Sequence, residues 1–395
     1  MGRHTGFIRE IFVLFCLRLS IALCFKLTIL HTNDIHGRFE ETDKHGFTCV
    51  SNNDACFGGV ARIASVVKEV RNKEKNVVLV DGGDRFTGTL WSAVYKGNAT
   101  RVFVNELHYT AITLGNHDFD YGVKTLLGFL NQIKCPVVVS NMNTSQEPLW
   151  PDSTKLVRSS LIVNVNGERI GFVGYILLET SRTSNPGKNI KFLDIINSVQ
   201  KAVKELEAQG INKIIAVGHA GFKIDTEIAR KVVGVDVVVG GHSNTFLYSG
   251  DPPSDDTPRG KYPYIVHPDH NMTLSVPVVQ AYYYTKYLGN LQVSFNDMGE
   301  VTGWSGNPVL LDSTVANDQR VFDIVKKMKV LVDKKGNEKI GQSKTRLAAT
   351  GCDTGPCSLG ELVASAMVYH YRSYKATISL FRSGIRTSLA TDGQG

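Results

Sequence analysis

The feature that most constrains this chain is a set of five polar clusters, each set directly after an apolar run. The densest is Gly115-Asn116-His117-Asp118-Phe119-Asp120, which follows residues 109–114, a run with strand propensity. An asparagine, a histidine and two aspartates are poor core material, and a loop held by a rigid sheet is a usual place for chemistry. The other clusters are Asp34-Ile35-His36, Asp81-Gly82-Gly83-Asp84, Gly218-His219 and Gly240-Gly241-His242-Ser243-Asn244. One such cluster is commonplace and reads as structural. Five of them describe a fold that carries its loops to one point.

The remainder of the pattern says which fold. Short apolar runs at 27–31, 77–80, 137–139, 170–175, 214–217 and 235–239 read as buried strands. Between several of them, residues 60–72, 122–133, 195–208 and 224–232 have apolar side chains at helical spacing. Continuous apolar strands alternating with amphipathic helices give sheets covered by helices, and such folds hold ligands at the carboxyl ends of strands. Residues 251–275, rich in Pro, Asp and His, read as a surface loop. Residues 276–287 and 288–295 alternate as an antiparallel pair would, around Tyr282, Tyr283 and Tyr284. A Lys-rich amphipathic helix is expected over 316–335, then a strand over 340–347, a helix over 359–371 and a strand over 377–381.

Two neighbouring metal ions need hard or borderline ligands converging from separate loops, with one carboxylate able to bridge. Asp34 and His36 can both point into a site from one strand end. Asp84 follows two glycines that let the backbone turn sharply, so its carboxylate can bridge. Asn116 offers a neutral oxygen, and His219 and His242 offer imidazoles. Six ligands around a metal pair suit phosphoester hydrolysis. His117 is then free to stabilise the transition state or protonate the leaving oxygen, with Asp120 orienting it. Asp81 reads as a brace for its loop.

The formal charge is +7, or about +5 once a leader takes Arg3, Arg9 and Arg18 against Glu10. It is not concentrated in any run, which argues against a nucleic-acid groove. Residues 1–25 read as a secretory signal, with arginines before an apolar stretch and small residues near Ala22 and Cys24. The polar last residues offer no lipid-anchor signal. Of seven cysteines, Cys16 and Cys24 would leave with the signal. In an oxidising compartment, Cys49 with Cys56 and Cys352 with Cys357 are short-loop disulfide candidates, with zinc ligation the rival. Cys135 reads as a buried inert thiol. Asn98, Asn143 and Asn271 head glycosylation tripeptides.

The five clusters, within Ile29-Leu30-His31-Thr32-Asn33-Asp34-Ile35-His36 and Val235–Tyr248 among other runs, resemble the 5′-nucleotidase/apyrase family of calcineurin-like metallophosphoesterases. The resemblance runs from about residue 26 to the end and implies an α/β fold, a four-layer α/β/β/α catalytic domain over 26–312. A linker helix over 313–338 and an incomplete C-terminal nucleotidase domain over 339–395 would follow. It implies two zinc-type ions on Asp34, His36, Asp84, Asn116, His219 and His242, with Asp84 bridging. It further implies a His117–Asp120 catalytic dyad, phosphate contacts from Asn244 and Arg386, and disulfides Cys49–Cys56 and Cys352–Cys357. Asp353 and Phe381 stand where the family has an arginine and an asparagine, and no position matches its base-stacking aromatics.

The expected function is a secreted, metal-dependent phosphohydrolase of extracellular nucleotides, either AMP or ATP and ADP, through a metal-activated water. The alternative is a shortened relative that binds nucleotides or a partner without useful turnover.

Overall fold

The computed structural model describes residues 24–49, 56–150, 156–348, 352 and 355–377. Two sheets stack at its centre. The first has strand order Val301–Gly306, Tyr287–Phe295, Phe25–Thr32, Val77–Asp81, Ala111–Ile112, Val137–Val138, Val157–Arg158, with Val309–Leu310 paired beside Tyr287–Phe295. The second runs Tyr264–Val266, Val276–Val279, Val237–Val239, Ile214–His219, Glu168–Ile176, Ser160–Val165.

Alternation within single strands builds the layers, because successive side chains point to opposite faces. Leu27 and Ile29 join Val78 and Val80 against Phe172, Val217 and Val239, filling the space between the sheets. Leu30 and Leu79 face the other way, onto Ile63 of helix Val60–Lys73 and Leu126 of helix Gly122–Leu130. Val173, Ala216 and Val238 of the second sheet pack on Val199, Val203 and Ile228 of its own helices. Each fully buried aliphatic side chain contributes about 1.5–3 kcal/mol, and both faces of both sheets are covered. The result is the four-layer α/β/β/α sandwich that the family resemblance implies.

The sheets come into close contact where Gly174 of one meets Val138 of the other. A Cβ on Gly174 would lie 1.8 Å from the Val138 carbonyl oxygen, and Ser140 N–H donates to the Gly174 carbonyl at 2.8 Å. Backbone cannot swing aside as a side chain can. Gly174→Ala should therefore destabilise the protein by about 1–3 kcal/mol, the range for overpacking, seen as an earlier midpoint in urea unfolding.

Helix Gln319–Gly336, capped by Asp318 through Val321 N–H at 3.1 Å, does not hang free. Its Val321, Val325 and Val332 pack with Phe39, Trp91 and Phe103. Lys329 pairs with Glu40 at 2.5 Å. Among the described residues no helix is long and apolar enough to cross a membrane.

Four expectations change. Residues 276–295 do not form a hairpin. Val276–Val279 lies parallel to Val237–Val239, while Tyr287–Phe295 joins the other sheet antiparallel to Phe25–Thr32, with Leu27 opposite Val293. Alternation marks a half-buried strand but does not name its partner. The 251–275 loop contains strand Tyr264–Val266, which extends the second sheet. Residues 340–347 form no strand. The strand within 109–114 is only Ala111–Ile112. Helix Ser358–His370 occurs where a helix was expected. Of the 377–381 strand, all but Thr377 lies outside the described residues.

Both disulfides, Cys49–Cys56 and Cys352–Cys357, are formed, with Cα separations of 5.9 and 5.1 Å, inside the usual span. Cys135 is a free thiol, half-buried rather than fully buried, and burial pushes it up to about 12. Asn98, Asn143 and Asn271 are exposed.

Candidate metal centre

The five clusters meet at the carboxyl ends of parallel strands. Asp34 and His36 follow Phe25–Thr32, Asp84 follows Val77–Asp81, Asn116 and His117 follow Ala111–Ile112, His219 ends Ile214–His219, and His242 follows Val237–Val239. Ligand-type atoms of Asp34, His36 and Asp84 lie within 4.8 Å of one another, and so do those of Asp84, His219 and His242. Asp84 belongs to both groups. Its position is fixed by His117 N–H, which donates to Asp84 Oδ1 at 2.8 Å.

The histidines are held in the form that a metal needs. His219 Nδ1–H donates to the Gly82 carbonyl at 2.6 Å, and His36 Nδ1–H to the Thr87 carbonyl at 2.7 Å. Each leaves its Nε2 lone pair facing the carboxylates, and such outer partners fix ring orientation in metal sites. His219 Nε2 is 3.0 Å from Asp84 Oδ2, and His36 Nε2 is 3.6 Å from both Asp34 Oδ1 and Asp84 Oδ2. Yet His219 Nε2 and Asn116 Oδ1 are buried without a hydrogen-bond partner. Buried polar atoms are normally satisfied. An orphaned His219 Nε2 beside clustered carboxylates, with a second orphan at Asn116 Oδ1, fits a pair of divalent cations, which supply the missing partner and the missing positive charge.

Electrostatics agree with that fit. Burial alone would lower the pKa of His219, but Asp84 and Asp34 raise it to about 10. Burial raises Asp84, and the charge and hydrogen bond of His219, with the other neighbouring imidazoles, more than reverse this. With no metal bound, a proton stands in for part of the charge that the carboxylates require.

The backbone is bent to present these groups. Asp34, His36, Asp84, His242 and Asn244 all have left-handed φ, between 49° and 76°. Asp, Asn and His tolerate this region better than other residues with a Cβ. The Asn244 Oδ1 is also buried without a partner.

Beside the cluster, His117 Nδ1 pairs with Asp120 Oδ2 at 2.7 Å, and the His117 ring centroid is 5.3 Å from that of His36. His117 is 40% exposed on its side chain, against 16% for His36 and almost nothing for Asp34, Asp84 and His219, so a substrate can reach it. Its hydrogen bond to Asp120 raises its pKa against the opposing effect of burial. Burial raises Asp120 too, but hydrogen bonds from His117, Ser184 and Thr87 bring it below its ordinary value.

Asp81 braces its loop, as expected, accepting from Gly83 N–H at 2.9 Å, from Thr32 and from Arg85. Several residues support the centre in ways that the sequence reading assigns to none of them. Asn33 donates to Asp34 Oδ2 at 2.8 Å and accepts from Ala281 N–H. Gln280 donates to Asp225 and to the Gly241 carbonyl, beneath the His242 loop. Tyr284 meets His36 edge-on, with ring centroids 5.7 Å apart, and lies under the Arg38 guanidinium at 3.6 Å. Their roles arise from partners distant in sequence, from 39 residues for Gln280 and Gly241 to 248 for Asn33 and Ala281. Arg386, Phe381 and Asp353 lie outside the described residues.

Residues 27–246 match the calcineurin-like phosphoesterase family. The chain belongs to that family. Among curated relatives of this phosphoesterase, the rat 5′-nucleotidase is 43% identical over 350 residues, covering 88% of this chain and 60% of the relative. The venom 5′-nucleotidase of Naja atra is 42% identical over 349 residues, covering 88% of this chain and 65% of the relative. A crystal structure of a 5′-nucleotidase precursor from Thermus thermophilus superposes with a TM-score of 0.77 at 35% identity, covering 89% of this chain and 68% of that one. The chain thus spans about 60% of the length of the mammalian relatives it matches.

Proposed function

We propose that this phosphoesterase is a metal-dependent nucleotide phosphohydrolase, acting on extracellular AMP or on ADP and ATP. The observation that carries the reading is Asp84, one buried carboxylate shared by two ligand groups, with His117–Asp120 at their edge. The likeness to 5′-nucleotidases supports the nucleotide, and the likeness to a venom enzyme supports secretion after removal of residues 1–25. In this reading residues 26–312 form the catalytic domain, 313–338 a linker helix, and 339–395 part of a C-terminal substrate domain.

Asp34, His36, Asp84, Asn116, His219 and His242 would hold two divalent ions, zinc foremost, with Asn244 and Arg386 contacting phosphate. Such ions lower the pKa of a bound water and draw charge from phosphoryl oxygens. The protein groups do the rest. Asp120 keeps the proton on His117 Nδ1, leaving Nε2 as the ring nitrogen that can deliver a proton to the leaving oxygen. The raised pKa of His117 keeps the imidazolium populated further into the neutral range.

The test is phosphate release from AMP, ADP and ATP by the purified protein with added zinc. His117→Ala should slow release about 100-fold or more, within the range for general acid catalysis. No release by the folded, metal-loaded wild type would sink the reading. Asp120→Asn removes the charge that sustains the imidazolium, so the alkaline fall of kcat should move to lower pH. An unmoved alkaline limb would take Asp120 out of that role.

A further inference from the structure

Asp120 is held from three sides, by groups on three different segments. His117 Nδ1–H donates to its Oδ2 at 2.7 Å, and Thr87 Oγ1–H donates to the same oxygen at 2.6 Å. Ser184 Oγ–H donates to Oδ1 at 2.6 Å from the end of the short helix Thr180–Thr183. A carboxylate that accepts three hydrogen bonds has one stable orientation and no proton of its own to give. It therefore dictates which nitrogen of His117 carries hydrogen.

Thr87 has a second attachment. Its backbone carbonyl accepts from His36 Nδ1–H at 2.7 Å. Through its two oxygens, one residue faces both the dyad and a candidate metal ligand. The Thr87 side chain can thus be altered while the contact to His36 stays.

We propose that Thr87 and Ser184 are positioning residues for the phosphohydrolase reaction: a pair of hydroxyl groups that clamps Asp120 so that His117 presents Nε2 to the leaving group. This rests on the proposed function for its catalytic consequence, but the clamp itself is a property of the free protein. Neither residue is expected to touch substrate or metal.

Two measurements separate the clamp from the function it serves. The first needs no turnover: nitrogen-15 NMR of ring-labelled histidine in the metal-free protein. The wild type should show His117, assigned by loss of its signal in His117→Ala, with Nδ1 protonated and a downfield Nδ1–H. Thr87→Val and Ser184→Ala should each weaken that signature, and the double variant should abolish it. An unchanged His117 spectrum in the double variant would overturn the clamp whether or not the protein hydrolyses nucleotides.

The second measurement is leaving-group dependence in the zinc-loaded enzyme. Removing an outer partner of a catalytic group lowers activity about 10- to 100-fold. Thr87→Val should show a loss of this size in kcat for AMP, whose ribose alkoxide needs a proton, with KM little changed. It should show almost none for p-nitrophenyl phosphate, whose leaving group needs no acid. Thr87→Ser, which restores the hydroxyl, should recover the wild-type rate, and zinc content should be equal in all three. Equal losses on both substrates, or lost zinc, would mean that Thr87 supports the loop and does not position the dyad. If the wild type releases no phosphate, the nucleotide reading fails and the NMR result alone decides the clamp.

Discussion

Asp84→Asn is expected to lower phosphate release by at least about a thousandfold while the protein stays folded. The size follows from the shared position of the carboxylate in both ligand groups. Bound metal supplies several kcal/mol of transition-state stabilisation, and about 4 kcal/mol corresponds to roughly three powers of ten in rate. Asparagine is the informative replacement. It accepts the left-handed φ of 58° at this position and keeps an oxygen for the His117 N–H. What it removes is the charge and one of two strong acceptors. Metal content measured after dialysis should fall from two ions per chain to one or none. Thermal stability of the metal-free variant should fall below that of the wild type at neutral pH, because the buried, protonated His219 then loses the carboxylate 3.0 Å away that sustains its charge. A variant that keeps both metals and full activity would remove Asp84 from the centre.

Arg85 should behave in the opposite way, with a large loss of stability from a residue that meets no substrate. Its guanidinium is 1% exposed. It donates to Asp81, to Asp118 Oδ2 at 2.9 Å and to the Thr113 carbonyl at 2.7 Å. Burial alone would lower its pKa, but Asp118 and Asp81 raise it above the ordinary arginine value. Asp118 in turn accepts from the backbone N–H groups of Arg85 and Gly115. Two of the five loops are thus tied together through one cation. Arg85→Met fills much of the same volume and leaves two buried carboxylates without their counter-charge. Breaking a buried ion pair from one side costs about 3–5 kcal/mol. The measurement is urea unfolding of the metal-free protein. Arg85→Met combined with Asp81→Asn and Asp118→Asn should recover part of the loss, because it discharges the abandoned acids. A single variant as stable as the wild type would show that the ion cluster carries no net stability.

The two residues mark the limits of what the sequence reveals. Asp84 was legible because it follows a buried strand and two glycines, a local pattern with one ready explanation. The six ligand candidates and the His117–Asp120 pair were found on the same grounds, and the structure brings all eight together. Arg85 and Asp118 sit in the same runs and pass unnoticed. A buried guanidinium cannot be told from an exposed one until its partners are known. Layer order was legible because buried strands and covering helices each leave their own periodicity. Pairing was not, as residues 276–295 show. Four buried apolar residues at Val276–Val279 suit a central parallel strand as well as half a hairpin. The choice fell to Val237–Val239, some forty residues earlier.

The left-handed backbone at Asp34, His36, Asp84, His242 and Asn244 has a consequence for how such a centre can drift. Long and β-branched side chains are strained at φ near +50°, so most single-codon changes at these five positions are penalised before chemistry is considered. The residues that remain acceptable are aspartate, asparagine, histidine and glycine. Three of the four are oxygen or imidazole donors. Natural variation can therefore change the net charge of the centre by steps of one, and with it the cation preferred, without rebuilding a loop. The bend in the chain filters the alphabet from which the ligands are drawn.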